Sequence, residues 1–218
     1  MIQYSFYITY VFLITTGTIT FIEAMRTKDI RVRNILNLET CISIVAAFFY
    51  SKFVTTIESA ERGENKIDYK EINRTRYIDW SITTPLMLLV LVLAFLYNVN
   101  GGPMAISSYM KILALNYGML GSGYLGEIGV LPFVPANLVG FAFFGTLFTY
   151  LYKTYLSGKN NKTNTMLFSA FLIIWSIYGV AYFMEDIPKN ITYNILDLFA
   201  KCFVGIFFWA YFTKIFHL

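Results

Sequence analysis

Four ionisable residues stand inside or at the edge of long apolar runs of this chain: Arg76, Asp79, Asp197 and Lys201. Charged groups in such surroundings are costly and mark places where chemistry is done. Lys201 lies about ten residues into the last run, with Phe199, Phe203, Phe207 and Phe208 near it in sequence, so its ammonium cannot reach either end of that run. A bare cation there must lose its proton, pair with carboxylates or be converted chemically. Asp197 precedes Lys201 by four residues, which puts both on one face of a helix, and Asp79 offers a second carboxylate if its helix touches. Arg76 stands three residues before Asp79 and adds a compensating cation, so two positive and two negative groups formally cancel. A desolvated lysine among aromatics suits imine formation, because a neutral amine attacks an aldehyde and a neighbouring carboxylate stabilises the resulting iminium. The same four charges also admit a plainer reading, a buried ion-pair network that fixes helix packing.

The elements that must position these groups follow from composition. The 218 residues are 57% hydrophobic, 19% aromatic and only 14% charged, whereas soluble domains carry roughly 25% charged residues. Apolar runs at 4–24, 35–57, 77–97, 107–126, 131–156, 165–184 and 191–216 predict seven membrane-spanning helices. Each is near or above the ~20 residues that cross a hydrocarbon core of ~30 Å. The expectation is an all-α, multi-pass integral membrane protein surrounded by lipid, with residues 1–218 forming a single seven-helix domain. The first run has no basic region before it and should stay as a helix rather than be cleaved as a signal.

Basic residues set the orientation. Arg26, Lys28, Arg31 and Arg33 crowd the first loop, Lys153, Lys159 and Lys162 follow the fifth run, and Lys111 and Lys214 fall on the same side. The second loop, 58–74, mixes acids and bases instead. The first side is therefore expected in the cytoplasm and the N-terminus outside. The net charge of +4 is accounted for by loops facing an anionic inner leaflet, so no nucleic-acid partner is implied. Cys41 and Cys202 fall inside spans and read as packing residues, and His217 reads as a solvated tail. With one terminal histidine there is no Ser/His/Asp set, metal cluster or phosphate loop, so neither an enzyme nor a metal site is expected.

Four stretches resemble one family. Arg76-Tyr77-Ile78-Asp79-Trp80-Ser81-Ile82-Thr83-Thr84-Pro85-Leu86 looks like the third helix of microbial rhodopsins. Met119-Leu120-Gly121-Ser122-Gly123 resembles their fourth, Trp175-Ser176-Ile177-Tyr178 their sixth and Leu196-Asp197-Leu198-Phe199-Ala200-Lys201 their seventh. The resemblance implies all-trans retinal bound covalently to Lys201 as a protonated Schiff base. Asp79 would be the primary counterion and proton acceptor, Asp197 the second counterion and Arg76 the extracellular gate. Tyr77, Trp80, Thr84, Met119, Gly123, Phe141, Trp175, Tyr178 and Tyr182 would line the retinal pocket, while Tyr50 and Tyr178 would hydrogen-bond Asp197. Thr83, one turn inward of Asp79, is expected to steady that carboxylate.

The pattern departs from the family's outward proton pumps at one point. Their inner proton donor, a second carboxylate on the third helix, is replaced here by Val90. Aligning Val45-Ala46-Ala47-Phe48-Phe49-Tyr50 with the family's second helix places Glu39 beside that position, with Arg33 near the cytoplasmic mouth. A helix-two glutamate with an arginine at the helix start resembles the viral rhodopsins, particularly their second group, which implies a homo-oligomer, with a pentamer as the form to test, in a host cell membrane. Gly179 stands in place of the family's usual sixth-helix proline, and Glu127, Glu185 and Asp186 are expected at the outer rim. Four functions remain open at this point: a light-driven outward proton pump with Glu39 as donor, a light-gated cation channel, a photosensor without transport, and a retinal-free transporter or scaffold.

Overall fold

A computed structural model describes residues 2–213, and Lys214 and His217 lie outside the described residues. Among the described residues seven helices follow one another: α1 (Ile2–Arg26), α2 (Ile30–Glu61), α3 (Tyr69–Asn98), α4 (Ile106–Glu127), α5 (Phe133–Leu156), α6 (Lys162–Ala181) and α7 (Asp186–Phe212). Lipid offers no hydrogen bonds, so each span satisfies its backbone within itself. Side chains then close the exposed ends. Asp29 accepts from Arg31 N at 2.8 Å, Asp68 from Lys70 N and Glu71 N, and Asn161 from Asn164 N.

Each helix packs on the next, and α7 returns to α1 to close the ring. The third helix also meets α6 and α7 across the interior, which makes it the most enclosed of the seven and brings Asp79 toward Lys201. The outer surface is apolar, with Ile44, Phe48, Leu138, Met166, Ile173 and Val180 all exposed. The chain is thus a multi-pass membrane protein.

Six helices are long and apolar enough to cross a membrane by composition, and α4 falls short. Its 22 residues hold Ser107, Ser108, Lys111, Asn116, Gly118, Gly121, Ser122 and Gly123. At 1.5 Å per residue it is still about 33 Å long. Small residues there let large neighbours approach. A Cβ on Gly118 would stand 2.6 Å from the Phe143 ring, and one on Gly123 would stand 2.8 Å from the Tyr77 hydroxyl.

Several ends differ from the sequence expectation. The second loop shrinks to residues 62–68, because α3 begins eight residues before the run expected to start at Tyr77 and α2 continues to Glu61. These extra turns are polar and lie beyond the apolar stretch, where hydropathy carries no helix signal. The seventh helix likewise begins at Asp186, which carries Lys189 and Asn190 into the bundle. Cys41 is exposed on the outside of the bundle rather than packed in it, while Cys202 is buried.

Two irregularities shape the centre. Pro85 lacks an amide hydrogen, which leaves the carbonyl of Ser81 without its helical partner. The Tyr117 hydroxyl donates to that oxygen at 3.1 Å, and Tyr109 donates to Pro85 O, so the break in α3 is mended by α4. In α7 the turn Leu198–Phe203 widens into a π-helical segment that contains Lys201. Such turns are found where a helix is adapted to a site.

Candidate functional site

The four central charges meet as one group. Lys201 Nζ lies 2.6 Å from Asp79 Oδ2 and 3.4 Å from Asp197 Oδ1. Arg76 Nη1 stands 3.6 Å from Asp197 Oδ2. All four residues are at most 1% exposed, so no water screens them from the outside and each must be answered by a neighbour. Asp197 is held on both oxygens, by the Tyr50 hydroxyl at 2.8 Å and the Tyr178 hydroxyl at 2.6 Å. Asp79 is held on one only, since its Oδ1 has no hydrogen-bond partner among the described residues. The Thr83 hydroxyl donates to the Asp79 backbone carbonyl at 3.0 Å, not to the carboxylate as expected. A threonine in mid-helix has that carbonyl within reach one turn back, and the local bond wins.

Arg76 continues the network toward the end of the bundle where α1 begins. It donates to Tyr50 Oη and Asn194 Oδ1 and, through Nε at 3.1 Å, to Asn190 Oδ1. Asn190 in turn donates to Asn73 Oδ1 at 3.0 Å, and Asn73 donates to Glu127 Oε1 and Asp186 Oδ1. Glu127 Oε2 lies 3.7 Å from Lys189 Nζ, with both side chains at most 8% exposed. Glu127 is therefore a buried, paired carboxylate and not a solvated rim residue, whereas Glu185 is exposed. Asn73, Asn190 and Asn194 had no signal in sequence: an asparagine is unremarkable by type, and Lys189 and Asn190 lay outside the run read as a span.

A cavity of about 770 Å³, part of it open to the outside, runs from Lys201 across the bundle. All nine residues named for the pocket line it: Tyr77, Trp80, Thr84, Met119, Gly123, Phe141, Trp175, Tyr178 and Tyr182. Met87, Leu120, Asn137, Gly140, Phe144 and Tyr193 line it too, without having been singled out. Trp80 stands edge-on to both Tyr178 and Tyr193, an interlocked aromatic wall beside Asp197. Phe199 and Phe203 do not surround the lysine; they are 46% and 39% exposed and face outward, where they pack on each other and on Phe12. Nearness in sequence placed them on the wrong face of α7.

The residues present fit a long, apolar aldehyde. The amine at the cavity's end is buried between two carboxylates, one of which keeps an unpartnered oxygen, and the walls beyond are aromatic and apolar.

The other half of the bundle holds Glu39, 2% exposed, with no hydrogen bond or ion pair among the described residues. Its Oε2 lies against α7, 3.1 Å from where a Cβ on Gly205 would stand. Val90 is fully buried in the apolar core. Arg33 is half-buried and donates to Thr27 O at 2.9 Å, so it ties the first loop and does not pair with Glu39.

Comparison with known proteins bears on this arrangement. A family model described as bacteriorhodopsin-like protein matches residues 1–215. The crystal structure of viral rhodopsin OLPVRII is 56% identical with a TM-score of 0.91, covering 99% of each chain. That of Acetabularia rhodopsin I, at 19% identity and a TM-score of 0.77 over 98% of this chain and 94% of that one, shares the fold. The blue-light absorbing proteorhodopsin of Gamma-proteobacterium Hot 75m4 is 31% identical over 156 residues, a match that covers 62% of this chain and 59% of that relative's length. The chain belongs to the bacteriorhodopsin-like family, with the seven-helix fold of the microbial rhodopsins.

Proposed function

We propose that this protein is a retinal photoreceptor that moves protons outward in response to light, with all-trans retinal bound covalently at Lys201 Nζ. Retinal supplies visible absorption and a light-driven change of shape. The remaining steps belong to the chain. Lys201 Nζ carries a proton that Asp79 Oδ2, 2.6 Å away on α3, is placed to accept, and this contact is the observation that carries the reading. Asp197, already held by Tyr50 and Tyr178, keeps its charge and orientation while Asp79 titrates. Outward of the pair, Arg76, Asn190 and Asn73 lead to Glu127 and Asp186. Inward, Glu39 is the buried carboxyl group that can return a proton to Lys201, and Arg33 stands at its cytoplasmic side. Thr83 serves the backbone of α3 in this scheme. The orientation with the N-terminus outside gives the direction of transport.

We further propose a homo-oligomer in a host cell membrane, with a pentamer as the form to test, because the helix-two Glu39 with Arg33 at the helix start resembles the viral rhodopsins.

The test is electrical. With no ion gradient and zero voltage, light should drive a steady outward current in cells supplied with retinal. A current that vanishes there and reverses at an ionic equilibrium potential would instead establish the second reading, a light-gated cation channel. That reading draws on Val90, which leaves α3 without an inner carboxylate, and on the unpaired Glu39. Absence of current with a slow photocycle would point to a photosensor. Failure to develop visible colour with retinal would leave only a scaffold or transporter of the same fold.

A further inference from the structure

The side of Glu39 that faces α1 and α7 holds an anomaly. Threonine and serine hydroxyls inside helices ordinarily donate to the carbonyl three or four residues back, and Thr20, Thr40, Thr83 and Thr84 all do so. Thr16 and Ser43 do not. Both are fully buried, and among the described residues the hydroxyl of each lacks a nitrogen or oxygen partner. Buried polar groups without partners are rare and costly, so two in one place ask for a reason.

They do share one place. Ser43 follows Glu39 by four residues and lies on the same buried face of α2, one turn nearer to Tyr50 and Asp197. Ser43 Cβ lies 3.2 Å from where a Cβ on Gly17 would stand, which sets it at the level of Thr16 on α1. The Thr16 methyl lies 2.7 Å from the position a Cβ on Gly205 would take, the same position that lies 3.1 Å from Glu39 Oε2. Gly205 follows Lys201 by one turn of α7. The absence of a side chain at Gly205 lets the Glu39 carboxyl group and the Thr16 side chain meet between α1, α2 and α7, with Ser43 beside this level of α1.

We propose that Thr16 and Ser43 are the relay that carries a proton from Glu39 toward Lys201, with water completing hydrogen bonds between their hydroxyls. A hydroxyl accepts on its oxygen and donates its own hydrogen, so each step leaves the residue neutral and unchanged. The O–H bond of Glu39 breaks, its proton passes to the first acceptor, and the last donor gives a proton to Lys201 Nζ while Glu39 is left as carboxylate until it is refilled from the cytoplasm. Apolar Val90 and its neighbours close the α3 side, which directs this route along α1 and α2. The inference rests on the reading of Glu39 as donor.

The test compares Thr16→Val/Ser43→Ala with Thr16→Ser, Ser43→Thr and Glu39→Gln in the retinal-bound protein, timing the return of the proton to Lys201 by the recovery of visible absorption after a flash. The double variant should slow that return at least about tenfold, and Glu39→Gln about a hundredfold. Thr16→Ser and Ser43→Thr, which keep the hydroxyl, should stay close to the parent. Azide, a small permeant weak acid, should restore the double variant. In the retinal-free protein, the infrared C=O band that disappears in Glu39→Gln should move to higher wavenumber in the double variant, because the carboxyl group has lost hydrogen-bonding company. An unchanged return time, an unmoved band, or slowing that azide does not relieve would overturn the relay. If Glu39→Gln itself leaves the return unchanged, the donor reading falls, and the relay loses its source with it.

Discussion

Lys201 and Asp79 are joined at 2.6 Å across α7 and α3, while the second oxygen of that carboxylate has no partner. Asp197 stands farther from the same nitrogen and spends both oxygens on tyrosines. The two carboxylates are therefore unequal: Asp79 is the one nearer to the proton and less engaged elsewhere. Replacing Asp79 by Asn should remove the closer anion and leave the positive charge at Lys201 less fixed in the ground state. The expected result is a shift of visible absorption to longer wavelength and loss of the fast light-driven proton transfer, whereas Lys201→Ala should remain colourless with added retinal. Flash photolysis and absorption spectra check both.

Asp197 is fixed by hydrogen bonds that involve a charged acceptor, and such bonds contribute roughly 1.5–3 kcal/mol each. Tyr178→Phe keeps the ring that packs on Trp80 and Tyr193 but removes the hydroxyl from Asp197. Thermal unfolding in detergent should show a loss within that span, and Tyr50→Phe should lose at least as much because Arg76 also donates to its oxygen. Parent-like stability in both variants would mean that Arg76 and Lys201 alone suffice to hold the carboxylate.

How much of this could be read beforehand depended on whether a residue's type reports its surroundings. Lys201, Asp79, Asp197 and Arg76 are conspicuous because charge in an apolar run has few explanations, and the ring of spans follows from run length alone. The nine pocket residues came with the family resemblance, and the cavity gathers them all. What escaped was of two kinds. Polar helix extensions at Tyr69 and Asp186 lie outside the hydropathy signal, so Asn73, Lys189 and Asn190 were read as loop or left unread. Facing was the other: Phe199 and Phe203 flank Lys201 in sequence, yet point outward, because helical positions two residues apart are turned by about 200°, roughly half a turn, from each other. Thr83 belongs with the second kind, since spacing brings it near Asp79 without saying which oxygen it will choose.

Gly179 stands where the family's sixth helix usually carries a proline. The structure gives it a packing task, since a Cβ there would stand 2.4 Å from Phe141 Cζ. The Asn137 amide also donates to Gly179 O at 3.1 Å, which draws α5 and α6 together at the cavity wall. Gly179→Ala should force Phe141 into the cavity or part the helices, at a cost of roughly 1–3 kcal/mol. Slower retinal uptake together with lower thermal stability is the expected outcome. Gly179→Ala/Phe141→Leu, which withdraws the ring, should recover most of both.

Lys189 and Glu127 join α7 to α4 at the outer end of the network, where each is nearly enclosed. Lys189 also lies over the rings of Phe133 and Tyr182, so its ammonium is held by an anion on one side and aromatic faces on the other. Removing one partner of a buried pair leaves an uncompensated charge and costs roughly 3–5 kcal/mol, while removing both with groups of similar volume is close to neutral. Lys189→Met should therefore destabilise the protein strongly. Glu127→Gln should do the same, because Lys189 is then stranded although Asn73 keeps a partner. The double variant Lys189→Met/Glu127→Gln should return near to the parent, and the size of that recovery in a double-mutant cycle measures the coupling. Additive losses would show that the two side chains act independently and that Glu127 is stabilised by Asn73 alone. In the recovered double variant, α4 and α7 remain packed and the Glu127 carboxylate is gone, which leaves Asp186 as the outer carboxylate that Asn73 reaches. A proton leaving Asp79 would then reach the outside medium later than in the parent, a delay readable with a pH-sensitive dye after a flash.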